Sequence, residues 1–139
     1  MDDFPGRGEL GLRASLGIRP DLASAGLARR FIADFCNAAQ LGEDVCQVAA
    51  LLTSELVTNA IRYGGSRAVL EAHMPGGALR VTVADENPDL PEVGDAPALT
   101  AEGGRGVLLV STLAARWGVE LLPTGGKAVW FELDLDSGT

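Results

Sequence analysis

The sequence predicts a two-layer α/β sandwich, a mostly antiparallel mixed sheet of about five strands with about three helices on one face. Three observations lead there. Two segments in the first half repeat apolar residues at three- and four-residue spacing, the pattern of amphipathic helices. Four short runs are alternating or β-branched and fall into two pairs, each joined by a turn rich in proline and glycine. The order strand, helix, helix, strand, strand, loop, helix, strand, strand lets hairpins build a sheet and leaves the helices to cover one side of it.

The elements follow in chain order. Residues 1–8 are rich in glycine, proline and charge and form a flexible N-terminal tail, residues 9–135 a single domain, and residues 136–139 a C-terminal tail. Residues 9–18 read as a first strand that ends before Pro20. Asp21 is an N-cap for a helix whose apolar stripe is Leu22, Ala25, Leu27, Ala28, Phe31, Ile32 and Phe35, with Gly42 at its exit. Residues 43–63 make the second helix: Val45, Val48, Ala49, Leu52, Leu56, Val57, Ala60 and Ile61 keep the helical period until Gly64-Gly65 stops it.

Residues 66–74 and 78–84 form a hairpin around Pro75-Gly76-Gly77. Residues 86–103 are proline-rich and without periodicity, which marks a loop that covers a ligand, here read as a lid. A third helix opens at Gly103-Gly104-Arg105-Gly106 and runs through Val107, Leu108, Val110, Leu113 and Ala114 to about Arg116. Residues 117–122 and 128–135, turned by Pro123-Thr124-Gly125-Gly126, close the sheet.

Composition narrows the function. At 139 residues and 47% apolar the chain can bury one core, and no stretch reaches the ~20 apolar residues that span a bilayer. A formal charge of −8 with scattered lysines and arginines speaks against nucleic acid as a partner. The start Met1-Asp2-Asp3 has no basic or apolar run of a signal peptide, and Cys36 and Cys46 read as small core residues, so a cytoplasmic location is expected. His73 is the only histidine, which leaves little for a histidine-rich metal site or a Ser-His-Asp triad.

The chemistry-bearing residues are few. Glu55 and Asn59 lie four apart, one turn along the same face of the second helix, in a segment otherwise apolar. A carboxylate able to take a proton beside an amide oxygen able to ligate a hard cation suits a Mg²⁺-nucleotide, although two solvated side chains explain the pair equally well. Asp85 stands where an apolar strand gives way to the lid, placed either to read a ligand or to start a turn with Asn87-Pro88. The glycine-rich run before the third helix offers backbone N–H groups and the positive end of a helix dipole to a phosphate, with Arg105 able to add a charged contact. Arg62 faces either the phosphates or solvent. There is no P-loop and no Rossmann fingerprint.

In combination, Glu55-Leu56-Val57-Thr58-Asn59-Ala60, Asp85, Gly104-Arg105-Gly106-Val107-Leu108-Leu109-Val110 and Gly126-Lys127-Ala128-Val129-Trp130-Phe131-Glu132-Leu133 resemble the histidine kinase-like (GHKL, or Bergerat) ATPase superfamily, and within it the anti-sigma-factor serine kinases of actinobacterial type. The resemblance implies ATP with Mg²⁺. It implies Glu55 as general base, Asn59 as magnesium ligand, Asp85 as acceptor of the adenine amino group, and the turn of Gly104, Arg105, Gly106 and Val107 as a cap on the phosphates. Arg62 and Asn87 complete the nucleotide-binding set. Implied partners are an anti-sigma-factor antagonist, phosphorylated on serine or threonine, and a sigma factor; a homodimer is a further implied assembly.

The sequence departs from the family at three places. The box after Asp85 reads Asp85-Glu86-Asn87-Pro88-Asp89 where Asp-x-Gly-x-Gly is usual, Ala128 replaces a common Thr, and Tyr63 replaces a common His. These departures keep open a second reading, a protein–protein switch of the same fold with a weak nucleotide site. A sensor kinase catalytic domain is disfavoured, because the chain shows no preceding dimerisation segment with a phospho-accepting histidine.

Overall fold

The computed structural model describes residues 13–21, 23–64, 67–86 and 110–135. Its strands are β1 (Arg13–Ile18), β2 (Ala68–His73), β3 (Ala78–Asp85), β4 (Arg116–Leu121) and β5 (Lys127–Asp134), and its helices are α1 (Ala23–Ala38) and α2 (Glu43–Asn59), the latter continued by a π-turn over Ala60–Gly64. Residues 110–113 are also helical. The five strands form one sheet in the order β1-β2-β3-β5-β4, every pairing antiparallel.

Alternation along the strands decides which face meets the helices. On β3, residues 79, 81, 83 and 85 are buried and 80, 82 and 84 are half-exposed; on β5, Val129, Phe131 and Leu133 are buried with Lys127. Ile32, Phe35 and Cys36 of α1 and Leu52, Leu56 and Val57 of α2 close the core against them. The opposite face carries a charged row that crosses all five strands, Arg13, His73, Arg80, Glu132 and Arg116 being register partners in turn. Arg80 bonds Glu132 at 3.0 Å and Arg116 bonds it at 2.7 Å. Beside that row Arg80 stacks on Trp130, 4.0 Å from its ring centroid, and the ring lies over Gly118, where an added Cβ would meet it at 2.8 Å.

Several boundaries differ from the sequence-based ones for identifiable reasons. The first helix leaves its path at Gln40, which takes the left-handed conformation (φ 60°), while the Leu41 N–H returns to the Cys36 carbonyl at 3.0 Å; the turn is made two residues before the glycine expected to end it. Asp21 stands at the start of α1, its carbonyl accepting the Ser24 N–H at 3.1 Å and its carboxylate the Ser24 hydroxyl at 3.5 Å. Gly42 caps α2 without a side chain, and Glu43 and Asp44 in the first turn complement the dipole. Helical structure ends at residue 113, short of Arg116, because the Ala115 N–H already bonds the Glu132 carbonyl at 2.8 Å and Arg116 reaches across to Glu132 and Asp134. The hairpin glycines Gly76 and Gly125 have φ of 65° and 105°, as turns of this kind require. The expected tails, residues 87–103 of the lid and residues 9–12 of the expected first strand lie outside the described residues, as does the start of the third helix.

Candidate functional site

Four chain segments converge at one end of the sandwich. Ala68, at the start of β2, is the register partner of Asp85 at the end of β3, and Asp85 is in turn the partner of Lys127 at the start of β5. The π-turn that follows Asn59 packs against β3. The start of α2, at Glu43, Asp44 and Val45, lines a cavity with Leu135, beyond the end of β5 away from Lys127, so the other end of the helix, with Glu55 and Asn59, runs towards the end of the sheet that carries Asp85.

Glu55 and Asn59 are both half-buried, one turn apart, on a helix whose neighbouring positions 52–54 and 56–57 are buried. Neither is a freely solvated surface residue. Arg62 lies in the π-turn and is exposed. Single π-turns inside helices occur frequently at functional sites, because they displace side chains from the regular helical positions.

Asp85 is the most enclosed acid among the described residues, 6% exposed, and its partner was not anticipated from the sequence: Lys127, also 6% exposed, sets its Nζ 3.1 Å from Oδ1 and 3.2 Å from Oδ2. The two chain ends that carry this pair are forced together. A Cβ on Gly126 would collide with the Asp85 carbonyl oxygen and lie 2.8 Å from Glu86 Cα, so only glycine permits β5 to start there. Lys127 was legible as part of a motif and not as a partner, since the contact spans 42 residues and depends on strand register.

The donor set fits Mg²⁺-ATP in kind. No group of three or more His, Cys, Asp or Glu side chains able to hold a metal occurs among the described residues; an ion held through Asn59 must complete its shell with phosphate oxygens and water, as magnesium commonly does. The buried acceptor at the sheet end has the chemistry to receive an amino N–H. Asn87, Gly104, Arg105, Gly106 and Val107 lie outside the described residues. A cavity of about 410 Å³ is lined by Leu41, Gly42, Glu43 and Leu135 among others, at the opposite end of β5 from Lys127, and brings none of these groups together.

The profile of the histidine kinase-like ATPase domain matches residues 18–133. The chain belongs to this family. Residues 18–133 take in α1, α2, β2, β3, β4 and all of β5 but Asp134, with only Ile18 of β1. Two solved structures share the fold of this ATPase domain. The structure of the RsbU and RsbW domains of Rv1364c from Mycobacterium tuberculosis superposes with a TM-score of 0.68 at 15% identity, covering 89% of this chain. This chain spans 32% of that protein. The SiaB–SiaC complex from Pseudomonas aeruginosa gives a TM-score of 0.65 at 12% identity, with 91% of each chain covered. An uncharacterized protein of Streptomyces coelicolor is 38% identical over 71 residues, 48% of this chain and 68% of that one. Among the described residues of the ATPase domain no helix is long and apolar enough to cross a membrane.

Proposed function

We propose that this chain is a cytoplasmic, ATP-dependent protein serine/threonine kinase that phosphorylates an anti-sigma-factor antagonist and, with the antagonist released, sequesters a sigma factor. One observation carries the reading: an acid and an amide, one turn apart and half-buried, lie at the end of α2 that runs towards the sheet end holding a buried aspartate. Membership of a histidine kinase-like ATPase family and a fold shared with a chain that contains an RsbW domain support it.

Mg²⁺-ATP supplies the phosphoryl group and neutralises its charge when bound. Asn59 holds the metal through its amide oxygen, and Asp85 accepts a hydrogen bond from the adenine amino group. Glu55 takes the proton of the attacking hydroxyl. Arg62, Asn87 and the run Gly104, Arg105, Gly106 and Val107 complete the nucleotide contacts. Phosphoryl transfer asks a protein mainly for positioning and charge compensation, and these groups provide both. The phosphorylated partner gains a charge at its contact surface, which weakens its hold.

A second reading is favoured by a specific observation: Asp85 is engaged by Lys127, and Asn87 and Asp89 stand where family members have glycine. The chain would then be a partner-binding switch with a weak nucleotide site. Calorimetric titration with ATP and ADP in Mg²⁺ separates the two. Micromolar to sub-millimolar binding that is lost in Asn59→Ala supports the kinase, and Glu55→Ala is expected to bind nucleotide and to lose transfer to the partner protein. No binding at millimolar nucleotide refutes the kinase.

A further inference from the structure

We propose that Cys36 and Cys46 are a peroxide-responsive dithiol that closes to an intramolecular disulfide, fastening the first turn of α2 to the end of α1. The inference is independent of the nucleotide reading above and concerns two side chains which that reading leaves without a role.

The two cysteines stand on either side of the turn between the helices, both as free thiols. Cys36 lies near the end of α1 and is fully buried; Cys46 lies in the first turn of α2 and is half-buried. Their thiols are hydrogen-bonded to each other. The backbone of Leu41 brackets the pair: its N–H donates to the Cys36 carbonyl at 3.0 Å, and its carbonyl accepts the Cys46 thiol at 3.7 Å. One residue thereby holds a cysteine from each helix.

A disulfide brings its sulfurs to about 2.05 Å, closer than two thiols in contact, so one helix end must yield. The start of α2 is built to do so. Its N-cap, Gly42, gives the first turn no side-chain bond, and the chain enters it through Gln40 in the left-handed conformation, φ 60°, which costs a residue other than glycine some strain. Every residue from Gln40 to Val45 lines the cavity of about 410 Å³. The segment that leads from α1 into Cys46 therefore borders open space and can shift without disturbing the core.

The difference in burial divides the chemistry. Cys46 meets the oxidant first. Its sulfur attacks one oxygen of a hydroperoxide, the O–O bond breaks, the other oxygen leaves with a proton as water or an alcohol, and Cys46 becomes a sulfenic acid. The Cys36 sulfur then displaces the hydroxyl: the S–S bond forms, the S–O bond breaks, and the Cys36 proton leaves with the hydroxyl as water. The two thiols together lose two electrons, which the peroxide gains. Burial pushes the Cys36 thiol up to about 12, so Cys36 does not react with the oxidant itself and still carries the proton that the leaving hydroxyl takes up. A sulfenic acid without a neighbouring thiol goes on to irreversible sulfinic acid; with Cys36 in contact, oxidation halts at a bond that a reducing thiol reopens.

The test is to treat the reduced full chain with hydrogen peroxide and to measure free thiols, intact mass and non-reducing peptide maps. The parent, Cys36→Ala and Cys46→Ser are compared, with circular dichroism to establish that each is folded. The parent is expected to lose both thiols, to become lighter by two hydrogens as a single chain, to yield one peptide pair joined through Cys36 and Cys46, and to recover both thiols in dithiothreitol. Cys36→Ala gains oxygen at Cys46, and Cys46→Ser keeps its thiol under the same treatment. A parent that gains oxygen at Cys46 while Cys36 stays free overturns the proposal, as does a disulfide formed between two chains, or a parent that keeps both thiols. The parent decides by itself if Cys36→Ala does not fold. None of these readouts involves nucleotide, so their failure leaves the kinase reading standing, and the failure of that reading leaves them unchanged.

Discussion

Replacing Lys127 by Met leaves the Asp85 carboxylate, 3% exposed, without the ammonium that compensates it. Removing one partner of a buried ion pair costs about 3–5 kcal/mol, far more than a surface pair, because the remaining charge stays desolvated. With an unfolding entropy of about 2.1 cal/mol/K per residue, a chain of 139 residues loses about 3–4 °C for each kcal/mol, so the Tm is expected to fall by about 10–17 °C. The double variant Asp85→Leu/Lys127→Met removes both charges and is expected to recover most of this loss, since apolar replacement of a buried pair is often neutral or stabilising. Scanning calorimetry at pH 7, checked by urea titration, measures both. A Tm drop below about 4 °C in Lys127→Met would refute the argument, for it would mean that the carboxylate finds water or another partner at little cost. The same magnitude bears on binding studies: affinities of Asp85 variants are interpretable only beside their stability.

Gly118→Ala places a Cβ 2.8 Å from the Trp130 ring and is expected to destabilise by about 1–3 kcal/mol, with Trp130→Leu in the same chain restoring part of the loss; urea midpoints check it. The Thr53 hydroxyl is buried and has no hydrogen-bond partner among the described residues, so Thr53→Val is expected to be neutral or to stabilise by about 1 kcal/mol, read as a Tm rise. Burial first, and then Arg13, holds the His73 imidazole below its ordinary pKa, with Arg80 adding and Glu71 and Glu132 opposing. The unfolded chain then takes up the proton first as pH falls; the stability His73 contributes is full above the ordinary imidazole value and is lost as pH drops towards the folded one. Urea midpoints between pH 7.5 and 5.5 are expected to fall less in His73→Gln than in the parent. Burial, aided by its contact with Cys46, pushes the Cys36 thiol up to about 12, so a thiol reagent at pH 8 is expected to label half-buried Cys46 in the native protein and Cys36 only after denaturation.

The helices and hairpins were legible because their signals are local. Leu52, Leu56 and Val57 repeat at helical spacing and lie in the core, and Gly76 and Gly125 mark the turns they make. What was not legible depends on distant partners or on backbone choices that leave no compositional trace. Gln40 takes a left-handed conformation that sequence assigns to glycine, and Arg116 belongs to a strand because Glu132 and Asp134 wait for it there. Glu55, Asn59 and Asp85 stood out as polar residues in apolar segments, and Asp85 is the most enclosed acid among the described residues. Lys127 had no such contrast to announce it: a lysine after a glycine turn reads as solvated, and only register with β3 buries it.

The row Arg13, His73, Arg80, Glu132 and Arg116 has a consequence for how the sheet assembles. Side chains alternate strictly along a strand, so a slip of one residue in any of the five would swing its member of the row into the layer of Leu70, Leu79, Val81 and Phe131. Hydrophobic residues would tolerate many misalignments of strands this short; five polar ones in a line tolerate few. The open face of the sheet thereby acts as a ratchet on alignment, and the end of the sheet where Asp85 must meet Lys127 inherits its accuracy from charges at the other end.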